Sequence, residues 1–305
     1  MTEPVIHIGY HKTGTTWLQR RLFARKDLGY RRIRLQQDGV ELYHVHDFDF
    51  DPGHCRAQLT DELEACAREG AIPVVSMERL SGNPHSGGYD SRTLADRILA
   101  VFPDARVLIG IREQRSMILS CYGQYVKAGG PCSLRRYLHA PQDGRRPGFR
   151  FEHLQYDRLI AHYQSALGRE RVHVACYERF RDEPDGWLQD VAAFCGGKAP
   201  TPEAEAVVLN PSLGPVALSV LRWLDPFVHP DSLNGWSPYA IPWLQRPARA
   251  LASGIDRIAP GALQDAIRRR WQRIIVTDTA GRYEASNRRT AELTGLDLGR
   301  WGYRI

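Results

Sequence analysis

The chain has 305 residues, 43% hydrophobic and 25% charged, the balance of an ordinary soluble globular protein with room for one large α/β domain or two small ones. Lys plus Arg number 41 against 35 Asp plus Glu, and the resulting charge of +6 is spread along the chain, which suits an anionic ligand or a solvated surface but not the clustered footprint of a nucleic-acid binder. No run approaches the roughly 18 apolar residues of a membrane span, Val5 to Tyr10 is too short for a secretory signal, and six scattered cysteines with no CxxC pair read as reduced thiols of a cytoplasmic protein without a zinc site.

Val5 to Gly9 is an apolar run ending in glycine, which predicts a buried strand. Trp17, Leu18, Leu22 and Phe23 follow at helical spacing, with Arg20 and Arg21 on the other face. Asp61 to Arg68 reads as a helix and Ile72 to Met77 as a second buried strand. Leu94 to Phe102 is an amphipathic helix stopped at Pro103. Arg106 to Ile111 is a third strand, and Ser116 to Tyr125 a helix. Gly129-Gly130-Pro131 breaks the pattern, and Gln142 to Gly148 is a polar loop. Leu154 to Leu167 is helical, Val172 to Tyr177 a fourth strand, and Trp187 to Phe194 a helix. Strands alternating with helices predict an α/β fold with a mostly parallel, doubly wound sheet, whose ligands bind at the carboxyl ends of the strands. Residues 1–305 read as a single domain. Within it, 205–260 carries Trp223, Phe227, Trp236, Tyr239, Trp243 and several prolines, and reads as a helical or irregular lid, an acceptor-facing wall, or an irregular packing layer. Ala285 to Ile305 starts as a helix and ends Gly-rich.

The stretch His11-Lys12-Thr13-Gly14-Thr15-Thr16 sits between the first strand and the first helix. Amides at a helix N-terminus lack intrahelical partners, and the helix dipole adds positive charge there. Gly14 lets the backbone curl toward an oxyanion, Thr15 and Thr16 bring hydroxyls, and Lys12 brings a full charge: a phosphate cradle in composition and position. It departs from the nucleotide-triphosphate loop, whose lysine follows the second glycine. Two further stretches matter. RVLIGIREQRSMILS places Arg112 at a strand end and Ser120 eight residues on, where a forked guanidinium and a hydroxyl could share a phosphate. CYERFRDEPDGWLQDVAAFCG runs from a strand-end tyrosine, Tyr177, into an amphipathic helix.

HKTGTTWLQ resembles the 5′-phosphosulfate loop of sulfotransferases that use 3′-phosphoadenosine 5′-phosphosulfate (PAPS), with His11 where cytosolic members have proline. The resemblance extends over residues 5–196 through the other two stretches. It implies donor contacts from Lys12, Thr13, Gly14, Thr15, Thr16, Trp17 (on adenine), Arg112 and Ser120 (on the 3′-phosphate) and Tyr177 (on adenosine), with adenosine 3′,5′-bisphosphate as product and no metal. Taken alone, Arg112 reads better as the partner of a surface acid, and the alternatives for Trp17 and Tyr177 are core packing and a half-buried cap on the sheet. The basic Arg-Lys-Gly closure of cytosolic members is missing. The ending SNRRTAELTGLDLGRWGY resembles bacterial and carbohydrate-type members, and Arg288 or Arg289 either replaces that closure or lies on a solvated helix face.

The implied reaction is in-line sulfuryl transfer to an acceptor hydroxyl, helped by positioning and charge. Lys12 would neutralise the leaving phosphate oxygen. The base is expected to be Glu78, just past the second strand, as in some carbohydrate-type members; otherwise Glu78 pairs with Arg79 or Arg112. His85 and then His11 are the next candidates. A saccharide or glycoconjugate acceptor is favoured over a lipid or phenol, and the oligomeric state is open. The competing readings are a kinase with an atypical phosphate loop and a non-catalytic nucleotide-binding protein of the same fold.

Overall fold

The computed structural model describes residues 3–33, 42–141, 147–200, 213–228 and 241–305. Five strands, β1 (Val5–His7), β2 (Tyr30–Ile33), β3 (Ile72–Ser76), β4 (Arg106–Ile111) and β5 (Val172–Cys176), form one sheet in the order β2-β3-β1-β4-β5. Every neighbouring pair is parallel. Side chains alternate between the two faces. Val5, Val74 and Leu108 join one apolar layer, together with Leu18, Leu22, Phe180 and Trp187. Ile6, Val75, Val107 and Ile109 join the other. Both faces are therefore covered, as a parallel sheet requires, and β1 lies at its centre. This is the doubly wound α/β architecture that the alternation predicts.

Short helix α1 (Thr15–Trp17) runs into a π-helical turn, Leu18–Leu22. Helix α2 (Pro52–Glu69) is longer than the predicted Asp61–Arg68, because Asp51 caps its first turn through the Gly53 amide (2.8 Å) and Pro52 opens it. Helices α3 (Ser91–Val101), α4 (Gln114–Lys127), α5 (Leu134–Leu138) and α6 (Tyr156–Leu167) follow. Next come α7 (Tyr177–Asp182) and α8 (Pro184–Cys195). The start of α4 is fixed by Glu113, whose carboxylate accepts from the Arg115 and Ser116 amides.

The aromatic- and proline-rich stretch is helical in its described parts. It holds α9 (Pro215–Val228) and α10 (Gln245–Ile258), followed by α11 (Gly261–Asp278). α9 packs on α10, and both α9 and α11 pack on α4. Trp236 and Tyr239, like positions 142–146 of the polar loop, lie outside the described residues. The chain closes with α12 (Glu284–Thr294) against α6. No helix among the described residues is long and apolar enough to cross a membrane. All six cysteines are free thiols.

Candidate active site

The predicted residues gather at the carboxyl ends of β1, β3, β4 and β5. After β1 the chain turns sharply. Lys12 takes a left-handed backbone (φ 68°), alone among non-glycine residues in the described chain, and Gly14 does the same (φ 90°). Such a conformation costs a lysine about 1–3 kcal/mol and needs support from its surroundings. Thr13 supplies it. Its side chain is 2% exposed, and its hydroxyl donates to the Tyr10 carbonyl (2.6 Å). It fits only because Gly9 and Gly110 lack side chains: a Cβ on either would lie 2.9 or 2.8 Å from the Thr13 hydroxyl. That O–H is turned inward, so Thr13 shapes the loop. Thr15 is buried, Thr16 is exposed, and the Gly14 carbonyl accepts from the Trp17 and Leu18 amides to start the helix.

Aromatic residues back this loop. A Cβ on Gly14 would meet the Phe180 ring at 3.3 Å, with Tyr177 just behind. Trp17 packs edge-on against Phe180 (5.2 Å between centroids), and its indole N–H is buried without a hydrogen-bond partner. Trp17 thus packs on a core residue and keeps an unused donor.

Arg112 leaves β4 and reaches across to the loop. Its Nη1 donates to the Lys12 carbonyl (3.2 Å), its Nε to the Ser116 hydroxyl (3.0 Å), and its guanidinium lies 4.7 Å from the Tyr177 ring centre. The peptide after it is pinned from both sides. The Arg112 carbonyl accepts from the Tyr156 hydroxyl (2.6 Å), and the Glu113 amide donates to Glu178 Oε1 (3.0 Å). Glu178 is 6% exposed and also accepts from the Tyr303 hydroxyl and the Cys176 thiol, each at 3.2 Å. Ser120 lies one turn beyond Ser116 on α4, half-buried. Sequence reasoning passed over Ser116, Tyr156 and Tyr303. Only Ser116 carries a local signal, its spacing of four from Arg112.

The tail closes this frame by a different route from the one anticipated. Arg288 and Arg289 are exposed, and Arg289 pairs with Glu292, so they lie on a solvated helix face. Asn287 is fully buried instead, accepting from Gln114 Nε2 (2.6 Å) and donating to the Arg304 carbonyl (2.7 Å).

Glu78 opens a short 3₁₀ turn, Glu78–Ser81, just past β3. Burial raises its carboxyl above the usual range; the Lys12 ammonium and the Thr15 hydroxyl pull it partway back, although that hydroxyl forms no well-aligned hydrogen bond. Neither arginine considered as its partner takes that place. Arg79 pairs with Asp90 and lies over the Tyr43 ring, and Arg112 is engaged as above. The cation beside Glu78 is Lys12. His85 sits in the turn Pro84–Ser86, its Nδ1 3.1 Å from the Tyr137 hydroxyl. Burial holds that phenol well above its ordinary range. The phenol keeps its proton and can either donate to Nδ1 or accept from it, so the contact orients the His85 ring. His11 is largely buried with an unpartnered Nδ1. Its pKa is pulled down to about 3, first by burial and then by His85, His153, Arg79 and Lys12. Among the described residues no three His, Cys, Asp or Glu side chains are grouped to hold a metal ion.

These neutral histidines set the acid stability. Burial lowers His7 and His11 to about 3 and His153 to about 4, from 6.5. A depressed histidine contributes stability above its unfolded value and loses it as pH falls toward its folded value. Each costs up to about 1.4 kcal/mol per pH unit in that window. Glu78, raised, opposes them in part. The denaturant midpoint is therefore expected to be flat near pH 7 and to fall steeply between pH 6.5 and 4. A midpoint that does not move over that range would mean the histidines are solvated.

Residues 4–200 match the family model for the sulfotransferase family. Similar solved structures include a sulfotransferase from Alicyclobacillus acidocaldarius, at 20% identity and TM-score 0.42 over 81% of this chain and 99% of that one. Others are the sulfotransferase domain from the curacin biosynthetic pathway (14%, 0.41, 93% and 99%) and that from the Synechococcus PCC 7002 olefin synthase (14%, 0.40, 85% and 97%). No curated protein matches. The family match takes in all five strands, the Lys12–Trp17 loop, Glu78, Arg112 and Tyr177, and on it the chain belongs to the sulfotransferase family.

Proposed function

We propose that this sulfotransferase moves the sulfuryl group of PAPS to an acceptor hydroxyl, a saccharide or glycoconjugate in preference to a lipid or phenol. One observation carries the reading: Arg112 bonds the Lys12 carbonyl while lying on the Tyr177 ring, so two cationic groups flank one aromatic-backed loop. Two cationic residues at one loop suit a nucleotide that carries two separate phosphates. Lys12 and the amides from Gly14 to Thr16 would take the phosphosulfate, and Arg112 with Ser116 and Ser120 the 3′-phosphate. Trp17 and Tyr177, half-buried against the core residue Phe180, would offer ring faces to the adenosine.

In the transfer, the acceptor oxygen bonds to sulfur as the sulfur–oxygen bond to the phosphate breaks. The acceptor proton passes to Glu78, and Lys12 meets the charge gathering on the departing oxygen. His85, held 3.1 Å from the Tyr137 hydroxyl, is the next candidate for the base. Free, mostly buried thiols fit the reducing cytoplasm we propose for it.

Calorimetric titration tests the donor. Adenosine 3′,5′-bisphosphate is expected to bind at least about 100-fold tighter than ATP, a gap of about 2.7 kcal/mol, with sulfate then passing from PAPS to members of a saccharide panel. A preference for ATP would restore the kinase reading. Bisphosphate binding without transfer to any saccharide, lipid or phenol would favour a non-catalytic binding protein.

A further inference from the structure

We propose that α10 lies along an anionic lipid surface, with its outer apolar face in the headgroup boundary. The proposal is independent of the donor and acceptor assignments above. A surface helix normally buries its apolar side and turns its polar side to water. α10 (Gln245–Ile258) departs from this. Its inner side carries the buried Ala248 and Ala252, and the helix packs on α9. Pro247, Leu251, Gly254 and Ile258 follow at steps of four, three and four, so they share a second face. All four are exposed. Leu251 is 54% and Ile258 82% open to water, and Trp243, in the turn that leads into the helix, is 73% open. Single exposed apolar residues need no explanation, but an outward stripe that runs the length of a helix does.

The exposed charges around the stripe are cationic. Arg246 and Arg257, about three turns apart, stand on one flank of it, both exposed. Neither enters an ion pair among the described residues. The one acid of α10, Asp256, is engaged: its Oδ1 accepts from the Ala217 amide (2.9 Å). α11 continues the pattern. Arg268, Arg269, Arg270 and Arg273 are exposed, whereas its two acids are taken, Asp265 by Arg268 and Asp278 by His139. Across 213–228 and 241–278 there are eight arginines against four aspartates, a balance of +4 within the chain's +6.

An apolar stripe edged by arginines is the pattern of a helix at a membrane interface. The apolar side chains enter the acyl boundary, the guanidinium groups stay among the phosphates, and tryptophan sits at headgroup level. A neutral bilayer would leave the arginines unmatched. A second copy of this chain suits the face poorly, because a twofold pairing would set arginine against arginine. The association is peripheral, since no helix among the described residues is long and apolar enough to cross a membrane.

The test is sedimentation of the full chain with two kinds of vesicle, phosphatidylcholine alone and an equal mix of phosphatidylcholine and phosphatidylglycerol. The mixed vesicles are expected to bind at least about tenfold tighter, a difference that high salt removes. Leu251→Asp and Ile258→Asp are each expected to cut that binding about tenfold or more, with the thermal midpoint unchanged. Ile258→Asp, at the helix end, decides the matter should Leu251→Asp fail to fold. Arg246→Gln and Arg257→Gln are each expected to weaken binding about fivefold. Arg289→Gln, on the solvated face of α12, is expected to leave it unchanged. Absence of binding to the mixed vesicles would overturn the proposal. So would binding that survives Ile258→Asp, or that falls as far in Arg289→Gln as in Arg257→Gln, since general positive charge would then explain it. A concentration-dependent dimer that dissociates in Ile258→Asp would also overturn it, by showing that a second copy covers the face.

Discussion

Replacing Glu78 by Gln is expected to lower sulfuryl transfer by about 10²–10⁴-fold, the usual worth of a positioned general base, while adenosine 3′,5′-bisphosphate binding stays nearly unchanged. The substitution keeps the shape of the side chain and removes its ability to take a proton. Two features single out this residue. Its neighbours among the arginines are committed elsewhere, so it is not half of a structural ion pair. Burial also raises its carboxyl toward neutrality against the pull of Lys12. The second point fixes the sign of the pH profile. A base must be deprotonated, so activity is expected to rise with pH through a value above the ordinary carboxylate range, and Glu78→Gln is expected to abolish that acid limb. Near-normal turnover in the variant would remove Glu78 from the role. A surviving acid limb on a reduced rate would point to another titrating group.

Arg112→Ala is expected to weaken bisphosphate binding by about 10²–10³-fold, since two hydrogen bonds to a charged group are worth about 3–4 kcal/mol together. Arg112→Lys is expected to fall between, because an ammonium cannot reproduce the fork that now spans the Lys12 carbonyl and the Ser116 hydroxyl. The readout is calorimetric affinity for adenosine 3′,5′-bisphosphate beside that for adenosine 5′-monophosphate. Loss confined to the bisphosphate assigns Arg112 to the 3′-phosphate. Equal loss for both nucleotides would mean that the arginine only props the Lys12 loop.

Four strands were readable because each is a continuous apolar run, the pattern of a strand covered on both faces. β2 escaped because its centre is Arg31-Arg32. It is an edge strand, and Arg31 is neutralised by Glu62 and Glu69 on α2, a partnership no local pattern announces. The helices α9 to α11 were obscured in another way. Their prolines and tryptophans suggest irregularity, yet Pro215 opens α9 and Pro226 falls in its last turn. In the site, Lys12, Gly14 and Arg112 stood out through three stretches taken together at strand ends, since Arg112 alone reads as the partner of a surface acid. What supports them did not. Thr13 depends on Gly9 and Gly110, which meet only when β1 and β4 pair. The inward turn of its hydroxyl is visible only in the folded chain.

The bond between Gln114 and Asn287 joins residues 173 apart in sequence, and Tyr303 reaches Glu178 across 125. A growing chain therefore presents Lys12, Glu78, Arg112 and Tyr177 long before it has the segment that steadies Arg112. Pairings this distant close late, after local helices have formed. A nascent or shortened chain should thus display the whole cradle and still hold its nucleotide poorly. Nucleotide present during synthesis would favour finished molecules alone, because a ligand stabilises only the state that binds it.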